Sequence, residues 1–241
     1  MMSSHVKVRV NLLARDPENA KDIMEILNGQ VLIGLMVKSF SSVELAVEKV
    51  REYQKAGIPV SVGLGAADPT QWKKVAEVAK QTIPPHVNQV FPAAGYTIGL
   101  LEAEGGANTI VNAVITPSGT VGKVYVTTGP VSQRYEEAIS CEAAAALIAD
   151  MGIPSVKFYP LNNRLDELTA MVKAAVEAGI TIFEPTGGIT IENMAETVRI
   201  CIENGAREVI PHIYTSIVDK ATGLTRIEDV QAVKAALAEW L

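Results

Sequence analysis

Residues 154–188 have the sequence PSVKFYPLNNRLDELTAMVKAAVEAGITIFEPTGG. Two short apolar runs flank a helical pattern at residues 164–179, which ends at a glycine. Both runs are nearly continuous in apolar residues, as is typical of strands in a parallel sheet that is covered on both faces. The stretch therefore predicts two parallel strands joined by a helical crossover.

The same alternation of strand and helix patterns continues through the whole chain. Eight runs have strand character, at residues 6–14, 31–38, 58–65, 87–94, 108–117, 154–161, 179–187 and 206–215. Each run is linked to the next by a crossover, and this succession predicts an α/β fold, a single closed (β/α)₈ TIM barrel. An open, doubly wound sheet is the alternative.

Two regions depart from this regular alternation. Residues 95–108 make a weak fourth helix, and residues 118–139 predict an added loop or hairpin after the fifth strand. The length of 241 residues is usual for one barrel, and no linker or repeat interrupts the chain. We therefore expect one domain over residues 1–241.

The composition argues against nucleic-acid binding and against a membrane-spanning protein. Hydrophobic residues make up 48% of the chain and the net charge is −6, so a large core is available and no basic patch for nucleic acid is present. No apolar run is long enough to span a membrane, and the first residues lack a secretion signal, which predicts a cytoplasmic protein. Cys141 and Cys201 lack metal-ligand spacing and are expected to be buried thiols.

Three polar side chains fall on the interior-facing parity of late barrel strands. Side chains alternate between the two faces of a strand, so Lys157 faces the barrel interior if its apolar neighbours face the helices. Glu184, on the next strand, occupies a position on the same interior face. His212 lies near the end of the last strand, and catalytic residues of barrels come from these strand ends. Burial lowers the pKa of a lysine, and an uncharged amine can form a Schiff base with a ketone. A buried Lys–Glu pair without chemistry is the alternative.

The turn PTGGIT follows the seventh predicted strand directly. Glycines allow the backbone to approach a ligand, and the N–H groups at the start of the next helix favour an anion. Barrels often bind phosphate in the loops after strands seven and eight. Residues 186–188 are therefore candidates for a phosphate site, although many Gly-Gly pairs are only tight turns.

Two motifs resemble those of a known enzyme family. VKFYP, followed by FEPTGGI, is similar to the Lys-Phe-Phe-Pro and Cys-Pro-Thr-Gly-Gly-Ile motifs of the class I 2-dehydro-3-deoxy-6-phosphogluconate aldolases. The resemblance is specific over residues 155–190, and the whole chain looks closest to the divergent branch associated with D-glucosaminate 6-phosphate breakdown. It implies that Lys157 forms a Schiff base and that Thr186, Gly187 and Gly188 hold the substrate.

The chain also departs from that family. The glutamate that serves as general acid and base on an early strand is replaced by Gly34, and the arginine four residues later by Lys38. The cysteine before Pro-Thr-Gly-Gly is replaced by Glu184. We therefore expect Glu184 to transfer protons, with His212 as the second candidate. Lys38 is expected to bind the substrate carboxylate or phosphate, unless it is simply a solvated lysine.

Weaker candidates complete the predicted site. Ser132 and Arg134 follow the fifth strand and are expected to reach the barrel mouth as substrate-binding residues. Asp68 is interpreted as a helix cap before Pro69. No metal and no cofactor are expected, because His5 and His86 lie at strand starts, at the end of the barrel opposite the site.

The predicted activity is cleavage of 2-dehydro-3-deoxy-6-phosphogluconate to pyruvate and glyceraldehyde 3-phosphate by a class I aldolase. The alternatives are a 4-hydroxy-2-oxoglutarate aldolase with the same lysine mechanism, or a sugar-phosphate isomerase or epimerase with Glu184 as base. The expected partner is a small phosphorylated keto sugar acid, with no nucleic acid and no membrane. Exposed barrel helices and the added hairpin make a homo-oligomer our expectation.

Overall fold

The structure, a computed structural model, describes residues 6–241. Its strands are β1 (Lys7–Val8), β2 (Val10–Leu13), β3 (Val31–Met36), β4 (Val60–Gly63), β5 (His86–Val90), β6 (Ile110–Pro117), β7 (Lys123–Tyr125), β8 (Ile139–Ser140), β9 (Ser155–Phe158), β10 (Ile182–Pro185) and β11 (Glu208–Val209). Its helices are α1 (Pro17–Ile26), α2 (Val43–Lys55), α3 (Trp72–Thr82), α4 (Phe91–Ala103), α5 (Cys141–Asp150), α6 (Leu165–Glu177), α7 (Ile191–Glu203) and α8 (Ile227–Ala236). None of these helices is long and apolar enough to cross a membrane.

The sheet closes into a parallel barrel. Its strands pair in the order β2–β3–β4–β5–β6–β9–β10–β11–β1. Because β1 and β2 are two parts of one strand separated by Arg9, the pairing of β1 with β11 and of β2 with β3 completes the ring. The backbone N–H of Asn11 donates to Pro211 O at 3.0 Å and continues this seam. The predicted TIM barrel is confirmed, and the open doubly wound alternative is wrong.

The added segment after the fifth barrel strand is a small antiparallel extension. β7 pairs with the end of β6, where Thr116 lies opposite Tyr125. β8 then pairs with β7 and leads into α5. The predicted hairpin is therefore present, and it stands at the end of the barrel where the strands terminate.

Several helices begin at residues whose side chains can cap them or at a proline that suits the first turn. Asp16 Oδ1 accepts the N–H of Asn19 at 2.9 Å at the start of α1, and Ser42 caps α2. The fourth strand ends earlier than predicted, at Val90, because Pro92 suits the first turn of α4 and cannot donate within a sheet. The fourth helix accordingly covers residues 91–103 rather than 95–108.

The parity inferred for β9 is observed. Val156 and Phe158 belong to the apolar core, while Lys157 takes the opposite face and hydrogen-bonds inside the barrel. Interiors of such barrels are usually filled by branched apolar side chains. Here they include a set of buried polar residues, namely Asn11, Ser61, His86, Asn88, Asn112, Ser155, Lys157, Glu184 and His212.

Candidate active site

A cavity of about 540 Å³ opens at the end of the barrel where the strands terminate. Lys157 and His212 line it, together with the turn at residues 186–188. Glu184 does not line it. The structure thus brings together the lysine, the histidine and the Gly-Gly turn that the sequence singled out.

The amine of Lys157 is buried and hydrogen-bonded. The residue is 7% exposed, and its Nζ donates to Asn88 Oδ1 at 2.8 Å and to His212 Nδ1 at 3.2 Å. Burial lowers the pKa of Lys157 to about 8, against a smaller opposing attraction to Glu184. About one tenth of the amine is therefore uncharged at pH 7, far more than for a lysine of ordinary pKa.

Glu184 lies beneath the cavity with all its acceptor positions occupied. Its Oε1 accepts from His86 Nε2 at 3.0 Å and from Ser155 Oγ at 2.6 Å. Its Oε2 accepts from Asn112 Nδ2 at 2.7 Å and from His212 Nε2 at 2.8 Å. An ionised carboxylate has about four lone-pair sites, so this one is saturated by protein donors.

The pKa of Glu184 reflects this saturation. Burial by itself raises the pKa of a carboxyl group, but the interactions of Glu184 with His86 and with His212 outweigh burial and hold the pKa of Glu184 well below its ordinary value. The group is therefore a fixed negative charge at working pH.

His212 connects the carboxylate with the amine. With Nε2 donating to Glu184, Nδ1 carries the lone pair and faces Lys157, a tautomer that follows from the hydrogen-bond partners. Burial, and next the charge of Lys157, lower the pKa of His212 to about 3, so the resting imidazole is neutral. The hydroxyl of Tyr214 lies 3.1 Å from Nδ1 and donates to Asn11 Oδ1 at 3.0 Å.

The turn at residues 186–188 is shaped by its glycines. Gly187 and Gly188 have φ angles of 88° and 76°, a region that side-chain-bearing residues rarely adopt. A Cβ on Gly187 would lie 3.0 Å from Pro160 Cα. The backbone N–H groups of residues 187–189 have no acceptor in the described part of the chain. They precede α7, so the turn combines free donors with a helix N-terminus.

The remaining predicted residues lie outside this cavity. Lys38 forms an ion pair with Asp68 at 2.9 Å, and its side chain is 55% exposed. Asp68 also accepts the N–H of Thr70, as expected for a cap. Arg134 stacks on the ring of Tyr135, with 5.5 Å from its Cζ to the ring centroid.

Ser132 accepts the N–H of Gly129 at 3.1 Å within the added segment. That segment forms one wall of a second cavity, of about 440 Å³, which includes Tyr125 and Gln133. The two cavities share Val114 and Tyr159. The added hairpin thus extends the mouth of the site, without bringing Ser132 or Arg134 to the lysine.

Several site residues were missed by the sequence reasoning. His86 was set aside because it begins β5, yet its ring reaches Glu184 because that carboxylate points toward the same depth of the barrel. Asn88, Ser61 and Asn112 lie on the same interior parity, which was the available signal. His5 lies outside the described residues. Within them, no group of three or more His, Cys, Asp or Glu side chains is placed to hold a metal ion.

The position of the absent glutamate is also informative. A Cβ built on Gly34 would lie 3.2 Å from the Tyr214 hydroxyl, 3.1 Å from Leu13 Cδ2 and 3.0 Å from Met36 Cε. These groups occupy the space that a side chain at position 34 would need. The Tyr214 hydroxyl therefore lies where a side chain at position 34 would enter.

Comparison with known proteins agrees with this architecture. A mutant tryptophan synthase α-subunit from Pyrococcus furiosus has a TM-score of 0.60 at 13% identity, with 99% of this chain and 100% of that chain covered. KGPDC from Streptococcus mutans has a TM-score of 0.59 at 12% identity, with 97% of this chain and 98% of that chain covered. At such identities the likeness concerns the barrel fold alone.

Sequence comparison is more specific. The 2-dehydro-3-deoxy-phosphogluconate aldolase of Salmonella typhimurium (strain 14028s / SGSC 2262) is 42% identical over 227 residues, which cover 93% of this chain and 92% of that relative. The KDGP aldolase family matches residues 4–221. The chain therefore belongs to the KDGP aldolase family and is an aldolase, a carbon–carbon lyase.

Proposed function

We propose that the protein is a class I aldolase in which Lys157 forms a Schiff base with its substrate. The observation that carries this proposal is a buried amine of lowered pKa at the floor of the cavity, with a neutral imidazole 3.2 Å away. The substrate is 2-dehydro-3-deoxy-6-phosphogluconate, and the products are pyruvate and glyceraldehyde 3-phosphate. The name of the Salmonella relative supports this substrate class.

The reaction begins with attack of the uncharged Lys157 amine on the C2 ketone. His212 Nδ1 takes one proton from the nitrogen and gives it to the new alkoxide, and a second proton, from solvent, lets the resulting hydroxyl leave as water and an iminium form. His212 Nδ1 then takes the C4 hydroxyl proton, and the C3–C4 bond breaks: its electron pair flows into the iminium, and C4 departs as the aldehyde carbon of glyceraldehyde 3-phosphate. The resulting enamine is protonated at C3, and hydrolysis of the imine releases pyruvate.

His212 is a better proton carrier in this mechanism than Glu184. The histidine lines the cavity and carries a free lone pair, whereas the carboxylate lies below the cavity with four donors around it. A proton arriving at Nδ1 would be stabilised by Glu184 behind the ring and by the Tyr214 oxygen beside it, since the hydrogen of that hydroxyl is donated to Asn11. We therefore assign proton transfer to His212, and assign Glu184 the role of holding and polarising the imidazole.

The phosphate is proposed to bind at residues 186–188. The free N–H groups of this turn suit an anion, and no arginine or second lysine lines this cavity in residues 6–241. Recognition of the phosphate therefore depends on backbone donors. Lys38, paired with Asp68, and Arg134, over the ring of Tyr135, do not line this cavity and have no part in this assignment.

Trapping by borohydride tests the Schiff base. With pyruvate and borohydride, the wild-type chain should gain one reduced pyruvyl group on the peptide containing Lys157, and Lys157→Ala should gain none. A wild-type protein that stays unlabelled, or is labelled at another lysine, would overturn the assignment. Turnover of 2-dehydro-3-deoxy-6-phosphogluconate against 4-hydroxy-2-oxoglutarate then identifies the substrate, and preference for the latter would contradict the phosphate site.

A further inference from the structure

Lys157 and Glu184 are direct neighbours in the strand register, yet no ion pair joins them. Three hydrogen-bonded paths connect them instead. One passes through Asn112 Nδ2, which donates to both Asn88 Oδ1 and Glu184 Oε2. Of the other two, the short path passes through His212. The long path runs from the amine to Asn88 Oδ1 at 2.8 Å, from Asn88 Nδ2 to Ser61 Oγ at 2.9 Å, from Ser61 to His86 Nδ1 at 2.8 Å, and from His86 to Glu184 at 3.0 Å. Together the short and long paths close a ring inside the barrel.

The direction of donation around Ser61 follows from its partners. Its Oγ accepts Asn88 Nδ2 and Asn11 Nδ2, both at 2.9 Å, which uses both lone pairs. The hydroxyl hydrogen is then available only for His86 Nδ1. His86 therefore carries its ring hydrogen on Nε2, where it donates to Glu184.

The orientation of Asn88 is equally fixed. Its Oδ1 accepts from Lys157 and from Asn112 Nδ2 at 3.0 Å, while its Nδ2 donates to Ser61 and to Val62 O at 3.3 Å. An amide turned the other way would place donors against donors. Asn88 can therefore only accept from the amine.

Every hydrogen bond in the ring consequently runs away from Lys157 and ends at Glu184. An uncharged amine has two N–H bonds and one lone pair. His212 and Asn88 take the two N–H bonds, which leaves the lone pair for the third direction, toward the cavity that Lys157 lines. The two contacts thus hold the amine so that, once it is uncharged, its lone pair faces the cavity.

We propose that Asn88 is a positioning residue that, held by Ser61 and, behind it, His86, orients the Lys157 amine toward the substrate without adding a negative charge beside it. This inference rests on the proposed Schiff-base function, and it adds a role for β5, the strand that carries Asn88. A neutral amide at this place accepts one N–H without supplying the negative charge that would favour an ammonium group.

The other titratable groups around the amine are few. Glu184 on β10 and His212 and Tyr214 after β11 face it from one side, and His86 on β5 lies behind Asn88. The neighbouring residue on β6 is Val114, which carries no charge. Asn88 is thus the contact of Lys157 at which an added charge would act most directly.

The test replaces this amide by a carboxylate of the same shape. In Asn88→Asp, the pH midpoint of imine formation with pyruvate, followed by borohydride trapping, should rise by about one unit or more. Asn28→Asp makes the same change at an exposed residue just after α1, at the opposite end of the barrel, and should leave the midpoint unchanged. An unchanged midpoint in folded Asn88→Asp would overturn the proposal.

A second variant covers the case in which Asn88→Asp does not fold. Asn88→Ala removes the acceptor, so the amine is free to turn and the imine-forming rate above the midpoint should fall by about tenfold or more. A rate equal to that of the wild type would contradict a positioning role. Trapping of the wild-type chain tests the Schiff base separately, so failure of that function is distinguishable from failure of this inference.

Discussion

The sharpest test of the proposed proton path is Glu184→Gln. The substitution keeps the size and shape of the side chain but replaces one acceptor oxygen by an NH₂ donor. The native carboxylate accepts from four donors, two on each oxygen. Whichever way the amide turns, two of these donors would face another donor.

The expected cost follows from this count. Hydrogen bonds to charged groups contribute about 1.5–3 kcal/mol each, so losing two should destabilise the fold by roughly 3–6 kcal/mol. Each oxygen is shared with one histidine, so one ring is driven toward its other tautomer. If that ring is His212, its Nδ1 gains a hydrogen and no longer accepts from Lys157. Loss of a general acid–base group typically lowers kcat by about 10²–10⁴-fold, and we expect a decrease of that order.

Three measurements separate the outcomes. Urea unfolding gives the stability loss, borohydride trapping gives imine formation, and exchange of the pyruvate methyl protons with solvent gives the later proton transfer. Glu167→Gln is the matched control, because Glu167 is also buried but accepts the N–H of Gly119 outside the barrel interior. It should keep full activity. Proton exchange at the wild-type rate in folded Glu184→Gln would refute the reasoning.

Three further predictions concern the lysine, the turn and acid stability. Because imine formation needs the uncharged amine and the pKa of Lys157 is about 8, its rate should rise with pH and level off above about 8, with about one tenth of the amine uncharged at pH 7; a midpoint near 10.5, the ordinary lysine value, would contradict this. Gly188→Leu should raise KM for the phosphorylated substrate by about tenfold or more, since φ is 76° and a Cβ would lie 3.2 Å from Asn162 Cα; an equal rise for pyruvate would show that the turn is only structural. The lowered pKa of Glu184 contributes stability that is present above about pH 4.5 and is lost as pH falls through the folded pKa, so unfolding free energy measured between pH 5 and pH 2 should fall less steeply in Glu184→Gln; equal slopes would argue against an ionised Glu184.

The barrel could be predicted because its signals are local and repeated. Each strand is a short apolar run, and each crossover is long enough for a helix. Strand parity was equally reliable, since Lys157 and Glu184 do occupy paired interior positions on β9 and β10. The boundary at Val90 was less accurate because a buried strand and a buried helix start share the same apolar composition.

The hydrogen-bond network inside the barrel could not be predicted in the same way. Parity tells which face a side chain occupies but not its direction along the barrel axis. Glu184 turns toward Ser155 and His86 rather than toward Lys157, because four donors satisfy its charge there. His86 does begin β5, as predicted, but the same limitation led to its exclusion from the site. Only the three-dimensional network shows that it shares a partner with His212.

The location of the carboxylate explains how one site can hold both a lysine of lowered pKa and a neutral imidazole oriented to accept a proton from it. A carboxylate in direct contact with the amine would favour the ammonium form and raise the pKa of Lys157. Glu184 is instead separated from that amine by the neutral ring of His212. In the proposed mechanism its charge therefore acts mainly on the imidazole, where it favours arrival of a proton at Nδ1. Gly34 is consistent with this arrangement, because the Tyr214 hydroxyl, whose oxygen can accept a hydrogen bond from a protonated Nδ1, fills the space beside it. A glutamate restored at position 34 would displace that hydroxyl and return a negative charge to the cavity wall, so it should not by itself restore the activity lost from a His212 variant.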